Sequence, residues 1–172
     1  RADRQPEFTQ IDMEMSFVTE DDIMTTVENM VAYIFKKTRN IDIQVPLMRM
    51  KYDDAMGYYG SDKPDLRFDM KISDLTDTLK DTEFSVFKEV LESKGIINCL
   101  VGKNCAEHFS RQEIDKLTEV VKTYKANNLF YLKFNEELTG SLAKYVTEEE
   151  LTKLKQQLNI ENNDIIFIVC GK

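Results

Sequence analysis

The stretch Gln10-Ile11-Asp12-Met13-Glu14-Met15-Ser16-Phe17 alternates strictly between polar and apolar side chains. Period 2 is the repeat of an extended strand, which sends successive side chains to opposite faces. Ile11, Met13, Met15 and Phe17 share one face; Gln10, Asp12, Glu14 and Ser16 share the other. One apolar and one polar face describe a half-buried strand of an antiparallel sheet. Upstream, Arg1-Ala2-Asp3-Arg4-Gln5-Pro6-Glu7 is dense in charge and runs straight into this strand. Downstream, Thr19-Glu20-Asp21-Asp22 starts a helix. Thr19 is suited to the N-cap, Asp22 stands three residues on, and the acids suit the positive end of the helix dipole. Ile23, Val27, Met30, Val31, Ile34 and Phe35 then recur at helical spacing, and Lys36, Lys37 and Arg39 fall in or just past the last turn. At this spacing Met24 and Met30 read as core filler.

Farther on, Ile41 to Val45 alternates again and predicts a short strand before Pro46. Lys51 to Tyr59 predicts a short helix closed by Gly57 and Gly60. Gly60-Ser61-Asp62-Lys63-Pro64-Asp65-Leu66-Arg67 is a turn or loop by its residue chemistry. Its charges either pair locally or serve a site. Beyond it the sequence predicts a strand within 68–79, a helix over 84–92, a strand over 95–101 and a helix opened by the capping box Ser110-Arg111-Gln112-Glu113. Strands at 129–134 and 142–146 follow, then a helix capped by Thr147 with Leu151, Leu154 and Leu158 inward, then the apolar strand Ile165 to Val169. Helices alternating with strand pairs predict a two-layer α+β domain over 68–172. The turn cluster at 60–67 marks the boundary with a first part, 1–67; net charge divides evenly and marks nothing.

The 172 residues fit one ordinary domain, or one domain plus a piece of another. At 42% hydrophobic and 31% charged the chain can bury a core. A net charge of -8 excludes a broad basic coat for nucleic acid but leaves room for a few local arginine contacts. No apolar run approaches the ~20 residues of a membrane span, and no signal-peptide pattern opens the chain. Cys99, Cys105 and Cys170 lack metal-site or disulfide-framework spacing and read as reduced structural thiols, which points to a cytoplasmic compartment. With the single His108 they make a poor ligand set, so no metal site is expected, and neither is a Ser-His-Asp hydrolase. Lys103, Arg111, Lys116, Lys122 and Lys125 offer either a modest basic face toward RNA or an ordinary solvated helix face, and the acids that alternate with them favour the second. A charged start without Met and an apolar strand at the close predict an excerpt from a larger protein.

Residues 1–17 carry the chemistry. Arg1 and Arg4 offer forked donors suited to phosphate, Asp12 a carboxylate suited to an ammonium group, and Phe8 a flat face for a ring. The alternative is a solvated sheet edge with surface ion pairs. Arg1-Ala2-Asp3-Arg4-Gln5-Pro6-Glu7-Phe8-Thr9-Gln10-Ile11-Asp12 resembles the second half of motif 2 of class II aminoacyl-tRNA synthetases, and more narrowly the bacterial-type aspartyl enzymes. Gly60-Ser61-Asp62-Lys63-Pro64-Asp65-Leu66-Arg67 is a second match to that family. Residues 68–172 resemble its GAD insertion domain, through Ser110-Arg111-Gln112-Glu113-Ile114-Asp115 and Ala143-Lys144-Tyr145.

The resemblance implies a fold, a partial class II antiparallel-sheet catalytic domain followed by a two-layer α+β GAD domain. It implies ATP contacts from Gln5 and Phe8, the latter stacking on adenine, and a hold by Asp12 on the α-amino group of L-aspartate. Gln10 lies on the same strand, and Arg1 and Arg4 correspond to tRNA acceptor contacts. The implied parent is a cytoplasmic homodimeric ligase using ATP and Mg²⁺ to form aspartyl-adenylate and charge tRNA. Motif 1, motif 3, the α-phosphate arginine of motif 2 and the anticodon-binding domain fall outside the matched residues. No complete catalytic set is therefore expected in these 172 residues, nor any bound cofactor. GAD-like domains also occur in B-type subunits of tRNA-dependent amidotransferases, so a non-enzymatic tRNA- or protein-interaction module is the competing reading. The motif 2 segment favours the synthetase.

Overall fold

Thr19 and Asp22 close a reciprocal capping box: the Asp22 carboxylate accepts from the Thr19 N–H at 2.8 Å, and the Thr19 hydroxyl accepts from the Asp22 N–H at 3.4 Å. From this cap α1 (Glu20–Arg39) runs to Asn40, whose left-handed backbone brings its N–H to the Lys36 carbonyl. The computed structural model describes residues 3–171, and Arg1 lies outside them. These residues form two compact units, one ending at Arg49 and one beginning at Met50.

In the first unit the strands expected at 10–17 and 41–45 are not formed; among its described residues there is no strand at all. A strand satisfies its backbone through a neighbour, and this unit supplies none. Ile11, Met13, Met15 and Phe17 are accordingly exposed, Phe17 fully, with a left-handed φ of 57°. The apolar side of α1 is also only partly covered: Met24, Met30 and Val31 are half-buried, and Ile23, Val27 and Ile34 are exposed.

The second unit opens with α2 (Tyr52–Tyr59), which ends at Gly60 in the left-handed conformation (φ 66°). Gly57 lies inside this helix instead of closing it. The strand expected within 68–79 shrinks to β1 (Ser73–Asp74); Phe68 and Met70 are exposed, and Leu75 and Leu79 turn into the core. There follow α3 (Ser85–Glu92), β2 (Ile96–Gly102), a 3₁₀ turn (Ala106–His108) and α4 (Arg111–Thr123). Then come β3 (Phe130–Phe134), β4 (Leu138–Thr139), α5 (Glu148–Leu158) and β5 (Asp164–Gly171). The capping boxes at Ser110–Glu113 and Thr147–Glu150 both form. The strand expected at 142–146 is a turn: the Tyr145 and Val146 N–H groups both bond the Leu142 carbonyl, and that local pairing leaves nothing for a ladder. The short β4 precedes it instead. Gly140, at φ 132°, lies so close to Tyr131 that a Cβ would strike the Tyr131 carbonyl oxygen.

All strand pairs are antiparallel, in the order β1-β2-β5-β3-β4. The mixed α and β architecture is as expected, but the layering is not. Ile97, Cys99, Leu132, Phe134, Ile166 and Ile168 share one face and pack with Phe87 of α3 and Leu154 and Leu158 of α5. Ile165, Phe167 and Tyr131 share the other face and pack with Ile114 of α4. Helices therefore cover both faces. The cause lies in β5, where both parities are apolar, the mark of a strand buried on two sides. Among the described residues no helix is long and apolar enough to cross a membrane.

Candidate functional site

Arg4, Gln5, Phe8, Gln10 and Asp12 occupy one run of exposed chain ahead of the α1 cap. Phe8 is 72% exposed and packs on no other ring among the described residues. None of the five makes a side-chain hydrogen bond or ion pair among the described residues, and no described cavity gathers them. Arg1 lies outside the description. The segment thus presents an aromatic face, two amides, a carboxylate and a guanidinium to solvent, with its downstream end fixed by Thr19. There the Thr19 backbone N–H and hydroxyl hold the Asp22 carboxyl below the usual carboxylate range.

The same unit holds an ion pair that reading the sequence did not find. Glu28 is buried in α1 and accepts from the Arg49 guanidinium and from the Leu47 N–H at 3.2 Å. Arg49 also donates to the Leu47 carbonyl at 3.2 Å. The Arg49 hydrogen bond outweighs burial and holds the Glu28 carboxyl below its ordinary value; the Arg49 pKa is raised in turn. One signal was present: Glu28 stands at helical spacing from Met24 and Val31, and a carboxylate on an apolar stripe requires a partner.

In the second unit, the Gly60–Arg67 loop is ordered by its own side chains. The Ser61 hydroxyl accepts from the Lys63 N–H at 3.1 Å, and Asp65 grips both the backbone and the guanidinium of Arg67. The Arg67 side chain holds the Asp65 carboxyl below its usual range. Nothing here supplies a thiol nucleophile: burial pushes Cys99 up to about 12, and Cys105 and Cys170 are raised by burial too. A cleft of about 420 Å³ between α4 and the 70–72 segment is lined by Ile72, Leu100, Phe109, Leu117 and Phe167 and carries no charged wall. It offers nothing to a nucleotide or an amino acid.

Comparison with known proteins agrees with the motif reading. The family model for class II tRNA synthetases (D, K and N) matches residues 1–169. The aspartate–tRNA ligase of Clostridium botulinum strain Hall is 47% identical over the whole chain, and that of Clostridium novyi strain NT is 46% identical over the whole chain. In each case the chain spans 29% of the relative's length. Identity at this level through the full chain, together with a family match over nearly all of it, means that the chain belongs to the class II tRNA synthetases of the D, K and N group.

Proposed function

We propose that this chain is part of an aspartate–tRNA ligase that joins L-aspartate to ATP as aspartyl-adenylate and passes the aspartyl group to tRNA. The carrying observation is the 47% identity to aspartate–tRNA ligases, which covers all of the chain. The competing interaction-module reading concerns the second part alone and leaves the family match across the first part unexplained.

In this reading residues 1–67 belong to the catalytic domain and 68–172 to the GAD insertion. Phe8 stacks on adenine and Gln5 hydrogen-bonds the nucleotide. Asp12 holds the aspartate ammonium, which leaves the substrate α-carboxylate free to attack the α-phosphorus. A carboxylate O–P bond forms as the bond to pyrophosphate breaks; a tRNA ribose hydroxyl then attacks the acyl carbon and AMP leaves. Positioning and charge complementarity do this work without a protein nucleophile. Arg1 and Arg4 meet the tRNA acceptor end. Among the described residues no three carboxylate, thiol or imidazole groups converge to hold a metal. Mg²⁺ is commonly held by one or two carboxylates together with substrate phosphates, and in the parent it would balance phosphate charge. The parent is read as a cytoplasmic homodimer.

Support for an incomplete site comes from the first unit, whose alternating residues 10–17 have no strand to pair with and whose apolar side chains stand exposed. The test is aspartate-dependent ATP–pyrophosphate exchange. The full-length protein is expected to catalyse it and the 172-residue chain is not; exchange by the isolated chain, or none by the full-length protein with aspartate, overturns the reading.

A further inference from the structure

Arg67, in the loop between α2 and β1, combines exposure with rigidity. Its side chain is 85% exposed, yet Nε donates to the two Asp65 carboxylate oxygens at 2.9 and 3.0 Å and Nη2 donates to Oδ2. Asp65 is itself fixed by the Arg67 backbone N–H at 3.0 Å. An exposed ion pair adds little to stability, and immobilising a long arginine costs rotamer entropy of at least comparable size. The arrangement makes sense as preorganisation, which lowers the cost of binding something else. Asp65 takes the Nε–Nη2 edge of the guanidinium. The Nη1–Nη2 edge stays unengaged among the described residues, and it has the fork geometry that accepts a phosphate.

Two neighbours narrow the ligand. Lys63 is exposed and unpaired among the described residues, with its backbone N–H tied to Ser61. Phe68 is 58% exposed and packs on no other ring among the described residues. An oriented guanidinium, an exposed ammonium and an exposed aromatic ring, carried within residues 63–68, suit RNA with an unpaired nucleotide, whose base stacks while its phosphate is held. An acidic protein surface would use the fork and leave the ring idle.

We propose that residues 61–68 bind an RNA phosphodiester beside an unpaired base, with the phosphate on the free edge of Arg67 and on Lys63, and the base on Phe68. Asp65 is the positioning residue. The inference rests on the reading of the parent as a tRNA-charging enzyme, and tRNA is the probe. In the full-length synthetase, filter binding of tRNA over a salt series is measured beside ATP–pyrophosphate exchange for Arg67→Ala and Asp65→Asn. Arg67→Ala is expected to weaken tRNA binding about tenfold and to lower the salt slope by about one. Asp65→Asn decides by sign. If Asp65 were only a nearby negative charge, its removal would tighten tRNA binding; as a positioning residue, its removal weakens binding. Unchanged affinity in Arg67→Ala, tighter binding in Asp65→Asn, or equal losses in exchange and tRNA binding would overturn the proposal. So would polyglutamate competing as well as RNA. A wild-type protein without aspartate-dependent exchange sinks the synthetase reading, while the filter measurement still decides the RNA contact.

Discussion

The Lys103 ammonium meets the Asp164 carboxylate at 2.8 Å although half of the lysine side chain is exposed and only 1% of the aspartate side chain is. The same carboxylate accepts the Asn104 and Glu161 N–H groups, each at 2.8 Å, and so ties the turn after β2 to the start of β5. Burial alone would raise the Asp164 pKa, but these donors and the lysine charge outweigh it and lower it. Replacement by Ala strands the Asn104 and Glu161 N–H groups, while Lys103 keeps the Asn159 carbonyl, and is expected to cost about 2–3 kcal/mol, read from urea midpoints. A depressed folded-state pKa gives stability that is complete above the unfolded value of about 3.9 and lost as pH falls through the folded one. Thermal melts between pH 6 and 3 are therefore expected to show a smaller acid loss in Asp164→Asn than in the wild type.

Two glycines are expected to respond to alanine with opposite signs. Gly57 lies within α2, and a Cβ there would meet nothing within 4 Å; Gly57→Ala is expected to stabilise by about 0.5–1 kcal/mol. Gly140 has φ 132° and no room beside Tyr131; Gly140→Ala is expected to destabilise by at least about 2 kcal/mol. Melting temperatures of the two variants check both signs, and a stable Gly140→Ala protein would contradict the β3–β4 geometry.

Arg49→Met is expected to move the Glu28 titration upward, because the guanidinium is the main cause of its low value and only the Leu47 N–H is then left to oppose burial. Carboxyl carbon NMR across pH 3–7 reads this directly. Since the wild-type Glu28 pKa is depressed, its contribution to stability is lost as pH falls through the folded value, and that acid sensitivity is expected to shrink in the variant.

In the full-length synthetase, Phe8→Ala is expected to raise KM for ATP about tenfold, the cost of one lost base–aromatic stack. Asp12→Asn is expected to raise KM for aspartate by at least about tenfold, the cost of one charge-assisted hydrogen bond. Crossed effects, with Phe8 acting on aspartate and Asp12 on ATP, would reverse the assignments.

Local signals in the sequence carried through to the structure; of the signals that depend on distant partners, the apolar strands at 95–101, 129–134 and 165–169 formed and the alternations at 10–17 and 41–45 did not. The caps at Thr19, Ser110 and Thr147 involve residues three apart, and all three boxes form. The 10–17 alternation is equally plain, yet a strand exists only beside another strand. At 142–146 the apolar residues were legible, but the turn that follows Gly140 was not, because it depends on the close approach to Tyr131. Phe8 and Asp12 are proposed through their motif alone, and both stand exposed on irregular chain. Glu28 and Arg49, 21 residues apart, belong to no motif and became visible only as a buried contact.

The strand order also bears on synthesis. β5 is the last of the sheet's five strands in chain order, yet it lies between β2 and β3 and pairs with both. Until residues 164–171 leave the ribosome, β2 and β3 have no shared partner, and each shows the nascent polypeptide an unpaired edge. The second unit must close in one late step, and a ribosome stalled shortly before Asp164 would hold an open half-sheet of the kind that chaperones are needed to shield.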